Sequence, residues 1–224
     1  MRNNKGRKAV VLLSGGLDSA TTLYAAKKKG FHCFCLIFDY GQRHQRELRA
    51  ARAIARAAHC AYRVLKIRLP WKGSSLLEKN VRLPQPDRAG LKIPSTYVAA
   101  RNIIFLSFAL SYAESIGAEA ICIGAHAQDY SGYPDCRPEF YAAFKKVIRT
   151  GTKAGTEGRS IRILTPLLAK TKSQIVRLGN SLKVPFALTW SCYQGGSKPC
   201  RRCDSCYYRA KGFQEAGIQD PLIY

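Results

Sequence analysis

The chain has 224 residues, 46% of them hydrophobic, 10% aromatic and 23% charged, a balance that excludes collagen, a coiled-coil rod and wholesale disorder. Lys and Arg number 37 against 14 Asp and Glu, a net charge of +23. A surplus of that size welcomes polyanions, whether RNA, DNA or a phosphate-rich small ligand, and says nothing of chemistry. No apolar run reaches the ~18 residues of a membrane span. The run Ala9 to Leu13 behind the basic N-terminus is too short for a signal-peptide core, so the expected location is the cytoplasm. Nine cysteines in that setting are reduced thiols and not a disulfide framework.

Apolar strands alternate with amphipathic helices along the chain. Lys8 to Leu13 reads as a buried strand and Leu17 to Lys29 as the following helix. Phe31 to Phe38 is a second strand. Gln45 to Ala58 is a helix with Leu48, Ala51, Ala55 and Ala58 on one face. Arg46, Arg49, Arg52 and Arg56 fall on another face, either an ordinary solvated surface or a stripe for nucleic acid. Tyr62 to Leu69 is a third strand. Residues 70–100, broken by Pro70, Pro84, Pro86 and Pro94, form a long connection, and such connections are usually functional loops.

Helix returns at Arg101 to Ile116, then a strand at Ala118 to Ile123 and a polar loop at Gly124 to Arg137. Pro138 opens a helix to Arg149, a Gly-rich link covers Gly151 to Arg159, and Ile161 to Leu164 is a last strand. Thr171-x-x-Gln174 is a capping box that opens a helix to about Lys183. The alternation predicts an α/β fold, a parallel sheet with helices on both faces and ligands at the carboxyl ends of its strands. Three loops lie there: Ser14–Ser19, Asp39–His44 and Gly124–Arg137.

Ser14-Gly15-Gly16-Leu17-Asp18-Ser19 joins the first strand to the first helix. Paired glycines let a ligand approach the backbone, and the helix N-terminus offers N–H groups to an anion. Ser14 and Ser19 add hydroxyls, and Asp18 suits a metal-bound phosphate or a cap. Near the C-terminus stands Cys192-x7-Cys200-x2-Cys203-x2-Cys206. Four thiolates in a short segment suit a closed tetrahedral zinc site; an iron–sulfur cluster or redox thiols are the competing uses. Cys33, Cys35 and Cys122 sit in apolar runs and read as core residues.

The first loop resembles the SGGxDS loop of PP-loop ATP pyrophosphatases. Further segments narrow the resemblance. Phe38-Asp39-Tyr40-Gly41-Gln42-Arg43-His44, Ala100-Arg101-Asn102, the stretch from Asp129-Tyr130-Ser131-Gly132 through Tyr133-Pro134-Asp135-Cys136-Arg137 to Phe140, and Thr189-Trp190-Ser191-Cys192-Tyr193-Gln194-Gly195-Gly196 look like the 7-cyano-7-deazaguanine (preQ0) synthase family. The likeness runs from about residue 8 to 213.

The resemblance implies a Rossmann-like PP-loop domain over residues 1–187 and a zinc-binding segment and tail over 188–224. It implies a cytoplasmic homodimer using ATP with Mg²⁺, and one structural zinc on Cys192, Cys200, Cys203 and Cys206. The implied reaction turns 7-carboxy-7-deazaguanine and ammonia into the nitrile through two adenylations. Leu13, Ser14, Gly15, Gly16, Leu17, Asp18, Ser19, Ala20, Thr21, Thr22 and Leu23 form the implied ATP stretch. Lys172 resembles a pyrophosphate-contacting lysine. Asp18, Lys172, Arg101 and Arg137 are the candidate catalytic residues, and Tyr133, Asp135 and Arg137 the candidate substrate contacts, because carboxylates and arginines match a guanine edge and a carboxylate. His44 and His126 are lesser candidates for moving protons. The competing readings are a PP-loop enzyme that thiolates or ligates a tRNA base in place, a deazapurine modification of a macromolecule, and a zinc-ribbon module that only binds nucleic acid.

Overall fold

β1 (Lys8–Leu12) and β2 (His32–Asp39) pair in parallel with Val10 opposite Phe34. The computed structural model that shows this describes residues 6–78, 80–81, 83, 93–126 and 132–222. β3 (Ala61–Lys66), β4 (Ala120–Cys122) and β5 (Arg162–Leu164) complete a sheet of order β3-β2-β1-β4-β5, every pair parallel. The chain runs outward from β1 to β3, then crosses back to place β4 on β1's other side. The carboxyl ends of β1 and β4 therefore form a topological switch point, where such sheets bind ligands.

Side-chain alternation on β1 divides the core. Ala9 and Val11 join one buried cluster with α1 (Leu17–Lys28) and α2 (Arg46–Ala57), while Val10 and Leu12 join another with α3 (Arg101–Ser115) and α4 (Pro138–Gly151). The expected helices and strands are all present, with bounds that differ by up to three residues. Cys33, Cys35 and Cys122 are buried in the first cluster, as their apolar neighbours predict.

The Gly-rich link is a correction. Gly151 ends α4, and Lys153–Thr156 form a short helix, α5. The Thr152 side chain accepts the Gly155 N–H, and a Cβ at Gly155 would lie 2.4 Å from the Ile148 carbonyl oxygen, so this glycine packs a turn instead of loosening one. The capping box opens α6 (Lys172–Ser181) as its spacing predicts. A further helix, α7 (Asp204–Ala216), begins between the last two cysteines and contains Cys206, where sequence reasoning expected none. Its Phe213 is 2% exposed in the same cluster as β1, and its face packs on α6. Asp129, Tyr130 and Ser131 of the long motif, and Pro84 and Pro86, lie outside the described residues.

Candidate active site

The Ser14–Ser19 loop is fixed at three places. Gly15, at φ 93°, is pressed so close to α2 that a Cβ would stand 2.3 Å from the Glu47 carbonyl oxygen and 2.7 Å from the Ala51 nitrogen. Its own carbonyl accepts the Trp190 N–H at 2.8 Å, from the segment that carries the cysteines. Across the switch point, a Cβ on Gly124, just past β4, would stand 3.1 Å from the Asp18 and Ser19 backbone. Ser14 and Ser19 hydroxyls bond each other at 3.0 Å, and Ser19 donates to the Gly16 carbonyl. The loop thus meets the cleft with Ser14, Gly16, Asp18 and Ser19, and Leu13 stands on the same wall. Gly15, Leu17, Ala20, Thr21, Thr22 and Leu23 are buried behind it, so this part of the expected ATP stretch supports α1 and does not face the cleft.

Asp18, in the first turn of α1, receives the Lys172 ammonium at 2.8 and 3.0 Å. The same ammonium lies 2.8 Å from His126 Nε2. An ammonium has no lone pair, so it donates and Nε2 accepts, which puts the imidazole proton on Nδ1. Burial works to raise the Asp18 carboxyl, and Lys172 and His126 beside it together outweigh burial, holding the group well below the usual carboxylate range. Lys172 begins α6, and its stem lies in a notch of α7: a Cβ on Gly212 would come within 2.3 Å of Lys172 Cγ.

The rest of the cleft lining includes Tyr40, Glu47, Arg101, Phe105, Tyr133 and Tyr193, with the Glu47 backbone against Gly15 of the loop. Ala100 adopts a left-handed backbone at φ 53°, a costly conformation for alanine, and turns the chain into α3 so that Arg101 reaches the cleft. Burial opposes the Arg101 charge, but Tyr40, Tyr133, Asp135 and Cys136 around it hold its pKa above the ordinary arginine value. Phe38 and Phe105 stack at 3.9 Å, and Tyr40 meets Phe105 edge-on.

The candidate catalytic residue Arg101 lines the cleft, as does Tyr133 of the expected substrate contacts, whereas Asp135 and Arg137 do not. Asp135 is 6% exposed and accepts the Asn102 N–H at 3.0 Å, an otherwise orphaned donor of the α3 N-terminus, while Asn102 Nδ2 donates to the Asp135 carbonyl and to Cys136 Sγ. It sets the start of α3 and so positions Arg101. Arg137 is exposed as the residue preceding α4. Sequence reasoning did not find Glu47, Tyr40 or Tyr193, which no spacing singles out. His126 was only a lesser candidate, and its place beside Lys172 depends on a partner 46 residues away.

The Sγ atoms of Cys192, Cys200, Cys203 and Cys206 all lie within 4.8 Å of one another, Cys200 and Cys206 at 3.9 Å. A tetrahedral ion with metal–sulfur bonds of about 2.3 Å needs sulfurs roughly 3.8 Å apart, so the four fit one ion better than a cluster of several irons. Arg201, left-handed at φ 59°, makes the turn between two ligands, and Cys203 caps α7.

Arg46, from the arginine face of α2, stacks 4.2 Å over Trp190 and donates to the Gly196 carbonyl. With Arg49, Lys198 and Arg201 it borders a separate hollow of about 560 Å³ beyond Trp190. Part of that arginine row is therefore structural.

Residues 8–217 match the model of the family described as queuosine biosynthesis protein QueC. The chain is 52% identical over 222 residues to a 7-cyano-7-deazaguanine synthase of Nostoc sp., covering 97% of each. It is 53% identical over 219 residues to one from Desulfitobacterium hafniense, covering 97% of this chain and 93% of the relative. Among solved structures it resembles an NMN synthetase from Francisella tularensis at TM-score 0.52 and 16% identity, covering 97% of this chain and 80% of that one. It also resembles a 4-thiouridine synthetase solved with RNA and ATP at TM-score 0.50 and 21% identity, covering 94% and 50%. These two share the fold.

Proposed function

The chain belongs to the QueC family of queuosine biosynthesis proteins, and on that premise we propose that its cleft turns 7-carboxy-7-deazaguanine and ammonia into 7-cyano-7-deazaguanine, with ATP as activator. The observation that carries this reading is one cleft lined both by a phosphate-type loop and by Arg101 among aromatic rings. A carboxylate resists ammonia and an amide resists dehydration, so each oxygen must become a leaving group. Adenylation of the carboxylate releases pyrophosphate, and ammonia displaces AMP to give the amide. Adenylation of the amide oxygen then lets AMP depart as the C≡N bond forms.

In this reading the protein aligns reactants and stabilises charge. The Ser14 and Ser19 hydroxyls and the α1 N-terminus hold the phosphates. Lys172 turns from Asp18 to the pyrophosphate; the Asp18 carboxylate would hold a Mg²⁺ ion, which would offset phosphate charge. Arg101 meets the substrate carboxylate, with Asp135 fixing the helix end that presents it. A zinc ion on the four cysteines would brace the segment that supplies Trp190 and α7. A homodimer in the cytoplasm belongs to the same proposal.

Purified protein incubated with 7-carboxy-7-deazaguanine, ammonium, Mg²⁺ and ATP should form the nitrile, read by mass. Each nitrile should bring two AMP and two pyrophosphate, and supplying the amide should halve the AMP. ADP and phosphate in their place would overturn the adenylation scheme.

A further inference from the structure

We propose that Glu47 reads the guanine edge of the deazapurine, its carboxylate accepting the ring N1–H and the 2-amino group together. This rests on the functional reading above and extends it to specificity. The substrate presents two kinds of polar edge. Its carboxylate and ring oxygen accept hydrogen bonds, whereas N1–H and the neighbouring amine donate two, side by side. Arg101 has donors only, so it suits the first edge and cannot serve the second.

The second edge needs a paired acceptor, and the cleft restricts the choice. Among the described residues lining it, Asp18 and Glu47 are the carboxylates, and Asp18 is engaged by Lys172 at the phosphate end. Gln42 is occupied at both ends: its Oε1 accepts the Tyr40 N–H and its Nε2 donates to the Phe38 carbonyl. The Asn102 amide donates to Asp135 and Cys136. Asp135, the acceptor that sequence alone suggested, already receives the α3 N-terminus. Glu47 stands half-buried on α2 and lines the same cleft as Tyr40, Phe105, Tyr133 and Tyr193, whose rings suit a flat heterocycle.

Its surroundings fit that use. Burial pushes the Glu47 carboxyl up to about 7 although Arg101 pulls it down, which marks an acceptor poorly served in the free protein. Two N–H donors from a ligand would favour its charged form. The backbone of Glu47 touches Gly15, so the same turn of α2 that seats the phosphate loop would seat the base.

The test compares wild type with Glu47→Gln and Glu47→Ala, each checked by thermal melting and by calorimetry with ATP. The prediction is unchanged ATP binding and a KM for 7-carboxy-7-deazaguanine raised roughly 10²- to 10³-fold, since a buried site built for a donor pair rejects a ligand it cannot satisfy. The decisive probe is the analogue lacking the 2-amino group. Wild type should bind it far more weakly than the parent, and Glu47→Ala should bind the two within about threefold of each other. Retained discrimination in Glu47→Ala, or an unmoved KM in both variants, overturns the assignment while the functional reading stands. Wild type that neither binds the deazapurine nor forms the nitrile overturns the functional reading itself, and the Glu47 assignment with it.

Discussion

Two ion pairs involve the last third of the chain, one within it and one reaching back to α1, and they are built for opposite purposes. Arg209 and Asp220 are 4% and 5% exposed, and their contact is forked: Nε to Oδ2 at 2.7 Å and Nη2 to Oδ1 at 2.9 Å. The remaining guanidinium donors reach Thr189 Oγ1 and the Phe186 carbonyl. Lys172 and Asp18 are 12% and 27% exposed, a point charge between one carboxylate and one imidazole at the edge of a cleft. A rigid planar fork with every donor placed cannot take another partner, whereas an ammonium on a flexible stem can turn from a carboxylate to a phosphate. Both pairs bury charge; one is closed and the other is exchangeable.

That contrast breaks most visibly through Arg209→Ala, which leaves the Asp220 carboxylate buried without its partner. Losing one member of a buried pair costs about 3–5 kcal/mol, a large share of the roughly 5–15 kcal/mol that holds a domain together. Chemical denaturation should show that loss; wild-type stability would mean that the fork is ornamental.

Asp18→Ala should do the reverse. Its lysine can turn to solvent in the open cleft, so stability should move by no more than about 1 kcal/mol. Turnover should fall roughly 10²- to 10³-fold, about 3–4 kcal/mol of barrier, in the acid-to-amide and amide-to-nitrile steps alike. Single-turnover assays started from each compound would reveal a block confined to one step, and that result would deny the shared site.

Gly212→Ala is the smallest and sharpest probe. Alanine favours a helix over glycine by about 1 kcal/mol, yet here its Cβ must displace the Lys172 stem. The expected result is a lowered melting temperature together with turnover lowered about tenfold, because the root of the Lys172 side chain cannot clear the new Cβ unless α6 shifts against α7. Unchanged turnover would detach α7 from the chemistry.

The sheet, most helices, the α6 capping box and the cysteine cluster were legible in the sequence because their signals are local: period, punctuation and short spacing. α7 was not, since its first three residues belong to the cysteine motif and its buried residues, Cys206, Arg209, Gly212 and Phe213, include few ordinary apolar ones. The site divides in the same way. Ser14–Ser19 announces itself in six residues. Asp135 looked like a substrate contact because its partner, Asn102, lies 33 residues away, and Glu47 looked like one more charge on an arginine-rich helix.

The sheet order has a bearing on synthesis at the ribosome. β1 and its loop leave the exit tunnel early, yet β1 is the central strand, and its neighbour β4 is translated some hundred residues later. The Gly15 carbonyl then waits for Trp190, and Lys172 waits for the notch at Gly212. A nascent chain displaying the whole Ser14–Ser19 motif therefore has no finished seat for a nucleotide until its final helix emerges, so truncated translation products should not sequester ATP.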